Sequence, residues 1–99
     1  MEFPFNEPEN VAVFTCRHIL ENHTDICRVT HDADDGAWQF LCGQKHEVAD
    51  ARIVSLKEIF VKDPSVGILA DLPLGCVAIR ENKESLWMRY VVTTQSTKR

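Results

Sequence analysis

Cys16-Arg17-His18 and Cys42-Gly43-Gln44-Lys45-His46 bring two thiols and two imidazoles into one short chain. Thiolate sulfur and neutral imidazole nitrogen are the ligands of a tetrahedral structural zinc site. The separation of Cys42 from His46 suits a turn, and Gly43 gives the backbone freedom to wrap an ion. The Cys16-x-His18 pair is tighter than the usual spaced cysteine knuckle. The residues therefore offer zinc held by Cys16, His18, Cys42 and His46, with His31 as a substitute ligand. Packing is the other role open to them. Cys16 and Cys42 would then be small core residues and the histidines surface groups. A third role, thiol nucleophile with histidine base, needs a depressed thiol pKa and a geometry that no linear motif displays.

Other stretches carry weaker chemical signals. Asp32-Ala33-Asp34-Asp35-Gly36 alternates carboxylates before a glycine, as calcium loops do, but the position that needs a bidentate glutamate is Gly43. A solvated hairpin turn accounts for the run. Trp87-Met88-Arg89-Tyr90 sets aromatic and basic groups together, a pattern that packs across strands as readily as it stacks on bases. The chain has no phosphate-cradling glycine loop, nucleophile elbow or zinc-protease helix, so it is read as a non-enzyme.

Composition narrows the partners. Eleven Lys and Arg against fifteen Asp and Glu give a net charge of -4, which supplies no global field for nucleic acid or an anionic membrane. Neither is expected as a partner. The acids concentrate between His31 and Asp50, where Asp32, Asp34, Asp35, Glu47 and Asp50 face only Lys45. Such a group complements a basic protein surface, or simply forms solvated turns. The acidic, proline-containing start lacks the basic and apolar regions of a secretory signal, and no run reaches the ~20 apolar residues of a membrane span. A cytoplasmic protein with its four cysteines reduced is the expectation.

The elements that must position these residues follow from periodicity. At 99 residues and 44% hydrophobic, the chain is long enough for one core. Residues 1–10 read as a flexible leader, 11–92 as a single domain and 93–99 as a frayed tail. Val11 to Phe14 is a strand or the approach to a helical turn at Arg17 to Glu21. Ile26 to Thr30 and Trp38 to Cys42 flank the Asp35-Gly36 turn signal and predict an antiparallel hairpin, with Trp38, Phe40 and Cys42 on its core face. Arg52 to Val54 predicts a strand. Ser55 with Glu58 predicts a capping box opening a helix whose Leu56, Ile59 and Phe60 face the core. Asp63-Pro64 starts a second short helix, and Cys76 to Arg80 with Leu86 to Val92 make a closing hairpin. The sum is an α+β fold: a small antiparallel or mixed sheet with a short helical pair on one side.

The pieces Gly36-Ala37-Trp38-Gln39-Phe40 with Gly43, Ile53-Val54-Ser55-Leu56 through Ile59, Asp63-Pro64-Ser65-Val66, and Leu69-Ala70-Asp71-Leu72-Pro73-Leu74-Gly75 leading to Arg80 occur in a distinctive order. On these the chain resembles, from roughly Phe14 to Trp87, a bacterial family once catalogued as a domain of unknown function and now called immunity protein thirty-three-like. The resemblance implies an α+β domain that neutralises a cognate protein toxin by binding it, with the acidic loop residues as the partner surface. The chain departs from longer members in its cysteines and histidines around Cys16 and Cys42 and in a shorter segment after Gly43. Those departures leave room for a zinc-stabilised module with a different, regulatory partner.

Overall fold

The computed structural model describes residues 2–44 and 47–92. The frayed tail expected over 93–99 lies outside the described residues, as does His46. Six strands, β1 (Ala12–Cys16), β2 (Arg28–His31), β3 (Trp38–Leu41), β4 (Ala51–Ser55), β5 (Cys76–Ile79) and β6 (Met88–Val91), form one sheet in the order β4-β1-β3-β2-β5-β6. The β1–β3 pair is parallel and the other four are antiparallel, so the sheet is mixed and the fold is α+β. Both expected hairpins form, β2–β3 and β5–β6.

Alternation assigns the two faces. Val13 and Thr15 of β1, Val29 of β2, Trp38 and Phe40 of β3 and Ala78 of β5 are buried on one side. The chain leaves β4 at one edge and re-enters the sheet at β5, beyond β2, so the intervening segment has to cross that side. It does so as α2 (Leu56–Lys62) and a 3-10 helix (Pro64–Leu69), burying Leu56, Ile59, Phe60, Val66, Leu69 and Leu72. The Ser55 hydroxyl accepts the Glu58 N–H at 3.1 Å, which is the cap the sequence announces. The Asp63 carboxylate accepts the Ser65 N–H, and Pro64 fills the first helical position, where no donor is needed. The preceding short helix, α1 (Arg17–Asn22), anchors through Ile19.

One feature departs from the expectation, and a second was not foreseen. The leader expected over 1–10 is packed from Phe3 to Glu7. Phe5 is buried edge-on against Trp38, with ring centroids 5.4 Å apart, Phe3 meets Phe60, and Glu7 accepts the Trp38 indole N–H at 2.9 Å. Aromatic area outweighs the prolines around it, since each buried ring withdraws well over 100 Å² from water. Arg80, the residue after β5, is buried: its side chain donates to the Ile26 carbonyl, the Ser65 hydroxyl and, at 2.8 Å, the Asp63 carboxylate, and lies 4.2 Å from the Trp87 ring centroid. Full hydrogen bonding of both ions is what makes such a buried pair tolerable.

Candidate metal centre

The C-terminal end of β1 and the C-terminal end of β3 lie side by side because these strands are parallel. That register brings Cys16, the last residue of β1, to Cys42, the residue after β3. His18 follows Cys16 on the first turn of α1. The Sγ atoms of Cys16 and Cys42 and a ring nitrogen of His18 all fall within 4.8 Å of one another. Cys42 Sγ stands 3.7 Å from His18 Nδ1. Metal–ligand lengths of 2.3 Å for sulfur and 2.0 Å for nitrogen place such a pair ~3.6 Å apart on a tetrahedron. The group could hold a metal ion.

Both cysteines are buried, and His18 is half-buried. Burial pushes the Cys42 thiol up from its ordinary value, the Gln44 N–H opposes this, and the neighbouring Cys16 raises it further. Burial also raises the Cys27 thiol, near the other end of β2 from His31. Neither is the depressed thiol that a cysteine nucleophile uses. A metal ion reverses that preference, because coordination deprotonates the thiol. Gly43 adopts φ +85°, a left-handed conformation that lets the chain turn immediately after Cys42.

An ion pair not foreseen from the sequence ties the start of α1 to the turn before β4. Arg17, between the ligands Cys16 and His18, donates from Nε to Asp50 Oδ1 at 2.7 Å. The other carboxylate oxygen of Asp50 accepts the Glu47 N–H at 3.0 Å, closing a capping box on the 3-10 turn Val48–Asp50. The Glu47 N–H, then the Arg17 guanidinium, hold the Asp50 carboxyl below its ordinary range. Nothing local signals this contact, since Arg17 and Asp50 are adjacent only because β1 pairs with β4, where Cys16 opposes Ala51.

The remaining expected site residues separate. His31 cannot substitute as a ligand: it lies at the far end of β2, opposite Trp38, stacked on the indole with centroids 3.9 Å apart, and its Nδ1 is 2.7 Å from the Leu72 carbonyl. The five acids divide between the two ends of β3. Asp32, Asp34 and Asp35 form the β2–β3 turn before it, while Glu47 and Asp50 follow it. In the turn, Gly36 N–H donates to the Asp32 carbonyl, and Asp35 accepts the Ala37 N–H, a hairpin geometry in place of a calcium loop. Among the described residues no helix is long and apolar enough to cross a membrane. No protein-family model, curated protein or solved structure matches the chain.

Proposed function

We propose that this chain is a zinc-stabilised, non-catalytic binding domain. The carrying observation is the convergence of Cys16, His18 and Cys42, from two strands and a helix, on one point at metal-ligand spacing. Two thiolates and an imidazole favour zinc over the harder cations, which prefer oxygen. The fourth tetrahedral position falls to His46 by its spacing from Cys42 in the sequence. A closed site of four protein ligands is structural, because catalytic zinc keeps one position for water or substrate. It would tie the ends of β1 and β3 together with α1, in a domain small enough for such a staple to matter. The cytoplasm is the compartment in which these thiols stay available to a metal. The resemblance to immunity proteins supplies the partner class, a protein toxin, as a proposal on the same footing.

Native mass spectrometry of protein purified under reduction without chelator tests the site against the denatured mass. One zinc ion per chain is expected, absent from Cys16→Ser and Cys42→Ser and weakened in His46→Ala. A native mass equal to the denatured mass, unchanged after zinc is supplied, would return the cysteines to a packing role.

A further inference from the structure

Among the described residues the helices pack on one side of the sheet. On the other side the strand registers align two rows of side chains across it. One row runs Ile53, Phe14, Gln39, Thr30, Val77, Tyr90, and the second contains Leu41, Arg28, Ile79 and Met88. Ile53, Phe14, Ile79, Met88 and Tyr90 are exposed, with Ile53 63% accessible in spite of its β-branched apolar side chain. Gln39, Thr30 and Arg28 make the middle of this face polar and Val77 is buried, so its exposed apolar side chains fall in two groups, Ile53 with Phe14 and Ile79 with Met88 and Tyr90, and apolar exposure on this scale marks an interaction surface. Its rim carries exposed carboxylates at both ends of β3, Asp34 and Asp35 at one and Glu47 at the other, whereas Asp50 is already paired with Arg17. Two hollows meet on this face, sharing Gln39 and Leu41; Asp32, Asp34 and Asp35 line one, and Glu47 and Asp50 the other. Arg28 is the single Lys or Arg lining either hollow among the described residues. The division of the acids between two loops thus frames one surface.

We infer that this face docks a second protein whose contact surface carries apolar side chains and a Lys/Arg rim. A second copy of the chain is the poorer occupant, because it would press the acidic rims of two chains with net charge -4 against each other. Five inter-strand spacings by four residues give a footprint of ~24 by ~13 Å, or ~300 Å². A stable interface takes ~800 Å² from each partner, so the two rows alone are too small and the acidic loops must be engaged. The charge of the partner is therefore part of its recognition. The inference rests on the reading of the chain as a binding domain and is independent of the metal.

Amide NMR of the zinc-supplied full chain, titrated with an amphipathic Leu/Lys helical peptide of about 18 residues, or about five turns, tests it. A Leu/Glu peptide of the same pattern is the control. Shifts are expected in β1, β3, β2 and β5, with the Leu/Lys peptide bound at least about tenfold more tightly than Leu/Glu, a difference of ~1.4 kcal/mol. Asp34→Lys with Asp35→Asn, which keeps the acceptor for Ala37, should weaken it about tenfold, and Phe14→Ser should weaken both peptides. Equal affinity for the two peptides, no binding up to millimolar Leu/Lys peptide, shifts confined to α2, or concentration-dependent dimerisation through the same face would each overturn the inference. Zinc stoichiometry measured on the same samples separates these outcomes from failure of the metal site.

Discussion

At the Trp38 end of β3, a histidine is consumed by packing; at the Cys42 end, a histidine stands among thiols. His31 stacks on Trp38, meets the Leu72 carbonyl and lies 3.8 Å from Glu7, whose carboxylate also takes the Trp38 indole N–H. The His31 Nδ1 and the Trp38 indole N–H thus have partners inside the fold, and Phe5, Trp38 and Phe40 pack against one another beside them. The Cys42 end has soft donor atoms close enough together to hold a metal ion, and an Arg17–Asp50 ion pair that ties the start of α1 to the turn before β4. The same residue type thus serves as a core ring or as a ligand according to what the neighbouring strand supplies. Aromatic area at one end makes a closed cluster, whereas sulfur at the other makes a group that gains most from an ion.

Three substitutions probe this contrast. Trp38→Ala should cost ~3 to 5 kcal/mol in urea unfolding, and by the same amount with or without zinc, because the indole is fully buried away from the thiols. A loss under ~1 kcal/mol would show that the Phe5 and Phe40 cluster does not depend on it. His31→Phe preserves a ring on Trp38 but removes the bond to Leu72, and should cost ~1 kcal/mol with zinc content unchanged. Zinc loss in that variant would join the two ends that the geometry keeps apart.

The smallest effect lies at Asp50. Its carboxyl is held below the ordinary 3.8, so its contribution is present above that value and disappears as pH falls through the lower folded-state pKa. Thermal midpoints of the native chain and of Asp50→Asn, followed from pH 7 to below pH 3, should differ most near neutrality and converge in acid. Curves that stay parallel throughout would mean that the Arg17 and Glu47 contacts stabilise nothing at the metal end.

Local chemistry in the sequence determined the elements. Alternation at Trp38, Phe40 and Cys42 marked the buried face of β3, Ser55 marked the start of α2, and Asp63-Pro64 the start of the next turn, because caps and periodicity act over a few residues. Residue type alone also nominated Cys16, His18, Cys42 and His46 as ligands, with His31 as a substitute, since few side chains bind a soft metal. Only the tertiary structure decided which of the candidates meet. The parallel pairing of β1 with β3 set Cys16 beside Cys42, while the length of β3 carried Asp32, Asp34 and Asp35 away from Glu47 and Asp50 and sent His31 to the opposite end. Phe5 and Arg80 followed the same rule, with partners at Trp38 and Asp63. Strand order and register are fixed by the summed burial of the whole core. A contact between distant residues leaves no mark in the chain around either of them, so proximity at the site had to come from the fold.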